Sequence, residues 1–314
     1  LGRYSERAEY GVRLARHVLS VLNSDAAADG AWSQRVASLC QLTGLVPPGT
    51  PMPQQAPAVF ERTLLAGLGD AQGHFSVAFN LLAIGRAADQ IRERLSPEHA
   101  RLALQPGRQL RMRLRQMAQA GRFSATEALP LLDGLALELA ALAGEQSDRM
   151  TRDDGWRMLT LGRQLERLWL MSSTLQQVFA LGEPQGDTFE LLLAQFDCSI
   201  TYRSLYQRQN DLAPLLDLLL RDPTIPRSLA CLLDLLPREL AQLPQAGSVP
   251  FALASIRLPH CPSLTSLCQT DASGDFASLL QFVAQARNAA SNACARLSQH
   301  YFSHAAPFST AETS

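Results

Sequence analysis

The chain has 314 residues, 46% of them hydrophobic, with 28 basic and 29 acidic residues and a formal net charge of -1. That apolar content is enough for a substantial core without covalent staples, and the near-neutral charge argues against binding a polyanion through the whole surface. All 28 basic residues are arginine, which excludes a Walker A lysine, a Schiff-base lysine and a lysine nucleophile or base within this chain.

The opening residues include Arg3, Glu6, Arg7 and Glu9, unlike a signal peptide, and no run approaches the ~20 apolar residues that cross a bilayer. A cytoplasmic address with no membrane contact is the expectation. The chain starts without methionine and already inside an amphipathic pattern with no capping residue ahead of it, so it reads as a trimmed portion of something longer. Its cysteines (Cys40, Cys198, Cys231, Cys261, Cys268, Cys294) form no C-x-x-C pair and have no histidine cluster beside them. Reduced thiols are expected, with no metal site.

Apolar residues recur at i, i+3, i+4 and i+7, and sustained period-2 alternation is almost absent, so the reading is all-α. In chain order the predicted helices are Gly2–Leu22, Ala31–Leu42, Ala58–Leu68, His74–Leu95, Pro97–Leu104, Arg108–Ala120, Thr126–Arg149, Asp153–Phe179, Thr188–Arg208, Leu212–Leu220, Ser228–Leu243 and Phe276–Phe302. Proline and glycine gather between them, at Pro47 to Pro53, Pro106-Gly107, Gly182 to Gly186 and Pro223 to Pro226. None of these breaks is long enough for a flexible linker, so one multi-helix domain is expected over residues 1–305, with halves of about 1–150 and 151–305. Residues 248–275 read as irregular and 306–314 as a disordered tail.

The first helix contains an internal echo. Leu1-Gly2-Arg3-Tyr4-Ser5-Glu6-Arg7 recurs as Leu161-Gly162-Arg163-Gln164-Leu165-Glu166-Arg167, giving L-G-R-x-x-E-R twice at an offset of 160 residues. Two related helices, one in each half, suit a bundle of two pseudo-repeated halves. Within each copy the arginines stand at i and i+4 and the glutamate at i+3, so all three project from one helix side. Glu6 lies nearly opposite the main apolar stripe, which would leave it solvated. Tyr10 and Leu14, and in the second copy Trp156 and Leu170, put apolar bulk on the motif's side, which would enclose it. Enclosed charges must be paired whether they form a structural network or a ligand site. Both readings stand at this point.

Three other groups are candidates. Asp153 and Asp154 open the second motif helix; capping is the ordinary role of such residues, and metal ligation or base catalysis is the alternative. Ser199, Tyr202, Arg203 and Tyr206 fall at i, i+3, i+4 and i+7, a face that could bind a carboxylate or phosphate. Six arginines and no acid lie between Glu98 and Glu127, without interleaved aromatics, a pattern closer to a solvated face than to a nucleic-acid site.

Taken together, Gly2-Arg3-Tyr4-Ser5-Glu6-Arg7-Ala8-Glu9, Asp153-Asp154-Gly155-Trp156-Arg157, the Leu161 to Arg167 copy, Ile200-Thr201-Tyr202-Arg203 and the run from Leu220-Arg221-Asp222 to Pro226-Arg227-Ser228-Leu229 resemble the bacterial Alpha-E domain. The likeness spans nearly the whole chain. It implies an all-helical protein encoded beside, or fused to, a circularly permuted ATP-grasp ligase and often near transglutaminase-like peptidases, in systems that make or process amide-linked peptides. ATP and magnesium would then belong to the ligase, with no cofactor in this chain. The expected function is a non-autonomous helical component that presents the Arg-Glu helices to a peptide carboxylate or to the ligase. An independent amide-handling enzyme using Glu6, Glu166 or the Asp153-Asp154 pair is the alternative, and a structural scaffold the third. Catalysis by the glutamates requires them to converge, with at least one carboxyl titrating unusually high. The chain departs from the family's pattern before Leu95-Ser96, where Gly85-Arg86 stands in place of an Arg-Glu pair, and after it, where Ala100 stands in place of a tryptophan.

Overall fold

The computed structural model describes residues 1–24, 29–73, 75–206, 210–244 and 256–302, and among them every regular element is helical. Helices α1 (Gly2–Leu22), α2 (Gly30–Leu42), α3 (Pro57–Leu68), α4 (Val77–Gln90), α5 (Pro97–Leu104), α6 (Pro106–Gln119) and α7 (Ala125–Gly144) precede α8 (Asp154–Phe179). After it come α9 (Gly186–Gln195), α10 (Ser199–Tyr206), α11 (Leu212–Leu216), α12 (Leu229–Ala241), α13 (Leu264–Cys268) and α14 (Ala277–Leu297).

The helix starts follow capping chemistry. The side chains of Asp29, Ser76, Ser96, Asp153, Ser228 and Ser263 each accept from the backbone N–H three residues on, satisfying a donor that the first turn leaves without an intrahelical partner. Helix α8 is the axis of the fold. It packs against α1, α14, α12 and α2, and a helix covered on so many sides needs apolar residues around most of its circumference. Its buried residues run from Leu159 through Leu165, Leu168 and Met171 to Phe179. Helix α1 packs on α8, α4, α7 and α9, so Tyr10 and Leu14 are as buried as the Ala8, Val12 and Ala15 stripe.

Several boundaries differ from the periodic pattern. The predicted Thr188–Arg208 helix is two helices, α9 and α10, because Asp197 takes a left-handed φ of 57°. The turn there closes with Asp197 N–H donating to Ala194 O and Cys198 N–H to Leu193 O. Arg208 and the predicted start at His74 lie outside the described residues, as does the 306–314 tail; α4 begins at Val77, behind its Ser76 cap. The predicted helices ending at Arg149, Leu220 and Phe302 each finish in a single π turn, at Glu145–Arg149, Asp217–Arg221 and Ser298–Phe302. Of the irregular 248–275 stretch, residues 248–255 lie outside the described set, and the remainder holds the short helix α13.

One buried cation ties the end of α8 to α2. Arg35 is 3% exposed and donates Nε–H to Val178 O at 3.1 Å, while its Nη2 reaches Leu181 O, Gly182 O and Glu183 O at 2.9, 3.0 and 3.2 Å. A guanidinium satisfies several C-terminal carbonyls at once and carries the charge that the helix dipole favours there. Arg35→Met is expected to lower stability in urea unfolding by about 1–3 kcal/mol, the cost of leaving buried acceptors unmet.

Candidate functional site

Helices α1 and α8 cross at their motif glycines. A Cβ on Gly2 would lie 2.1 Å from the carbonyl oxygen of Leu159, and one on Gly162 would come within 4.0 Å of the Gly2 Cα. At Gly2 only a residue without a side chain permits so close an approach, whereas a Cβ at Gly162 would make ordinary contact. The approach brings the two copies of R-x-x-E-R face to face, and each glutamate is held by the arginines of the other helix.

Glu6, 0% exposed, accepts from Arg167 Nε and Nη2, both at 2.8 Å, a bidentate pair. Arg163 of the same copy lies 3.8 Å from it. Reciprocally, Glu166, 5% exposed, accepts from Arg3 Nε at 2.9 Å and from Arg7 Nε and Nη2 at 2.5 and 3.1 Å. The motif glutamates are therefore enclosed rather than solvated, and their pairing is exchanged between helices.

The network extends to residues that helical spacing did not single out. Arg227 enters from the turn before α12, donating Nη1–H to Glu6 at 2.8 Å and Nη2–H to Glu9 at 2.5 Å. Ser228, beside it, caps α12 and donates to Asp222 O, which fixes the turn that aims Arg227 inward. Arg13 bridges Glu9 and Asp197 at 2.7 and 3.2 Å. The available sequence signal was the Asp222 to Ser228 run that also carries the family resemblance.

Burial alone pushes the Glu6 carboxyl up, but Arg167, Arg227 and Arg163 outweigh it and hold the group well below the usual carboxylate range. The same pairing raises Arg167 despite its burial. A carboxylate so clamped is a poor proton acceptor at neutral pH, and the elevated titration required for acid–base catalysis by Glu6 is not what the site produces. Around the crossing, six guanidinium groups (Arg3, Arg7, Arg13, Arg163, Arg167, Arg227) meet four carboxylates (Glu6, Glu9, Glu166, Asp197), so two positive charges remain uncompensated.

One of the two, from Arg3 and Arg7 against Glu166, faces a cavity of about 290 Å³ lined by Arg3, Arg7, Glu166, Phe75, Trp169 and Cys294. Phe75 and Trp169 stack with centroids 6.3 Å apart, and the Arg7 guanidinium sits 4.5 Å above the Phe75 ring, fixing an aromatic wall beside the cation. Burial pushes the Cys294 thiol up, so it is neutral there in spite of Arg3 and Arg7.

The remaining candidates are divided. Asp153 caps α8 by accepting from Trp156 N at 3.0 Å and pairs with Arg94 at 2.8 Å; Asp154, in the first turn, lines an adjoining cavity of about 720 Å³ that is also lined by Arg3, Arg7 and Cys294. Among the described residues no group of three or more His, Cys, Asp or Glu side chains is placed to hold a metal ion. The Ser199, Tyr202, Arg203 and Tyr206 face is divided. Tyr202 is buried edge-on to Phe189 and against Tyr206, and its hydroxyl donates to Asp211 O and accepts from Asp211 N. Arg203 points outward to Glu190 at 2.7 Å. The structure thus brings together Arg3, Glu6, Arg7, Arg163, Glu166 and Arg167, with Ser199, Tyr202, Arg203 and Tyr206 on the separate α10.

Fold and site define an all-helical domain built on two crossed helices that exchange Glu-Arg partners. The profile of the Alpha-E family, described as a predicted alpha-helical domain with a conserved ER motif, matches residues 1–302, and the chain belongs to that family. Glu6-Arg7 and Glu166-Arg167 are the ER pairs at the crossing. The chain is also similar to uncharacterized proteins of Mycobacterium tuberculosis and Mycobacterium bovis, at 30% identity over 131 residues, which is 41% of this chain and 14% of each relative. No solved structure matches it.

Proposed function

We propose that this chain is a non-autonomous component of an ATP-grasp-linked amide-ligase system, in which the α1–α8 crossing holds a carboxylate of the peptide being modified. The observation that carries the reading is the uncompensated positive charge facing the aromatic-walled cavity at Arg3 and Arg7. Guanidinium groups already oriented by Glu166 need little reorganisation to take a second carboxylate. ATP and magnesium are bound by the ligase, a separate or fused circularly permuted ATP-grasp protein, in the cytoplasm, with transglutaminase-like peptidases as further partners; family membership supports this part of the reading. No helix among the described residues is long and apolar enough to cross a membrane. The exchange between α1 and α8 is also what two pseudo-repeated halves would produce at their junction.

The test uses Arg3→Gln, since Arg3 is partly exposed and Glu166 keeps both bonds from Arg7. The variant should fold, co-purify with the ATP-grasp protein, and lose at least about tenfold in ATP consumption driven by acidic peptides, the equivalent of one charge-assisted contact. Absence of co-purification by the wild type, or unchanged turnover in Arg3→Gln, would overturn the proposal.

A further inference from the structure

Helix α7 widens at its end into the π turn Glu145–Arg149, which rolls Gln146 inward until the residue is 1% exposed. Single π turns recur at functional sites because they re-aim one side chain at the expense of regular bonding. Here the turn is pinned by Trp156, whose Nε1–H donates to the Gln146 carbonyl oxygen at 2.9 Å. Gln146 Oε1 accepts from Arg163 Nη1 at 3.3 Å, which fixes the amide so that Nε2 is the free end. That nitrogen is buried with no hydrogen-bond partner, and so is Gln164 Oε1.

Both side chains line one cavity of about 330 Å³, together with Arg163, Arg167, Thr160 and Trp156. It shares no lining residue with the cavity walled by Phe75 and Trp169 and is bounded by the second copy of the motif. Buried polar groups are ordinarily satisfied, so an orphaned amide donor beside a guanidinium, with an orphaned acceptor in the same cavity, calls for a ligand offering the complementary groups. The donor side takes an acceptor, and the adjacent Arg163 and Arg167 guanidinium groups favour an anionic one. The Gln164 acceptor requires an N–H close to that anion. A carboxylate whose α-nitrogen carries an amide N–H has both, whereas a bare carboxylate lacks the donor.

We infer that this cavity binds the terminal carboxylate of an N-acylated amino acid or peptide, the carboxylate meeting Gln146 Nε2 and the Arg163 guanidinium and the adjacent amide N–H donating to Gln164 Oε1. This site shares with the proposed function only the charge excess at the crossing, and it involves neither Arg3 nor Arg7.

Isothermal titration of the full chain with N-acetylglycine tests it, alongside N-acetylsarcosine, which lacks the N–H, N-acetylglycinamide, which lacks the carboxylate, and inorganic phosphate. N-acetylglycine should bind saturably and at least about tenfold tighter than the other three. Gln146→Glu keeps an acceptor for Arg163 but sets a negative charge against the ligand, and it should abolish binding while preserving the thermal melt. Gln164→Leu should erase the preference for N-acetylglycine over N-acetylsarcosine, and Arg3→Gln should leave that preference in place. No saturable binding, equal binding of phosphate, or binding retained in Gln146→Glu would overturn the inference. Binding lost in Arg3→Gln but kept in Gln146→Glu would do the same while favouring the cavity of the proposed function.

Discussion

Glu6→Gln is expected to destabilise the chain by about 3–5 kcal/mol in chemical unfolding, the cost of removing one partner from a buried charge cluster. The neutral amide keeps the shape and loses the charge, leaving Arg167 and Arg227 crowded by each other and by Arg163 with only Glu9 near them. A pH signature accompanies the loss. In the folded chain Glu6 titrates below its unfolded value, so its stabilisation is fully present above the unfolded carboxyl value of about 4.3 and is lost as pH falls below it. The wild type should therefore lose stability on the acid side, and in Glu6→Gln that slope should flatten. Replacing the pair together, Glu6→Leu with Arg167→Met, should cost less than the sum of the single changes, because no charge of that pair is then left stranded. Strict additivity would show that Glu6 and Arg167 do not interact.

Gly2→Ala is expected to cost about 1–3 kcal/mol, the range for overpacking, because its Cβ would fall 2.1 Å from the Leu159 carbonyl oxygen, a backbone atom that cannot swing aside. Gly162→Ala provides the contrast. There the nearest atom is the Arg3 side chain at 3.5 Å, ordinary contact, and alanine favours a helix interior by up to ~1 kcal/mol over glycine. The first alanine should lower the unfolding midpoint and the second should leave it level or raise it. Equal effects would mean that the two glycines play equivalent parts in the crossing, contrary to its geometry.

The sequence exposed those elements whose cause is local. Spacing at i, i+3 and i+4 places an arginine, a glutamate and an arginine on one helix side, and the repeat of that unit at Leu161 to Arg167 was visible without any fold. Apolar residues on both sides of the motif, Tyr10 and Leu14 in α1, pointed to enclosure, and enclosure to pairing. Which groups pair is decided by tertiary approach. The Glu9–Arg13 pair follows from i,i+4 spacing, but nothing along α1 announces that Glu6 will meet Arg227, 221 residues away, or that Glu9 will meet Arg227 and Arg13 will meet Asp197. The Tyr202 face illustrates the reverse problem. Seven-residue spacing is the same for an aromatic buried against Phe189 as for one lining a ligand site, and only packing separates them. The α9–α10 break was hidden because its left-handed residue is Asp197, with neither glycine nor proline to mark it.

The exchanged glutamates also impose an order on how the chain matures. On a ribosome Glu6 emerges before both of its main partners: Arg167 follows only in α8 and Arg227 only after α11. Until then α1 carries a charge whose partners do not yet exist, and burying it unpaired is unfavourable. The motif face of α1 is therefore favoured to close over α8 only once Arg227 has been made, whereas its other faces meet α4 and α7, which precede α8, so that completion of the charge cluster reports that the chain has been made as far as the turn before α12.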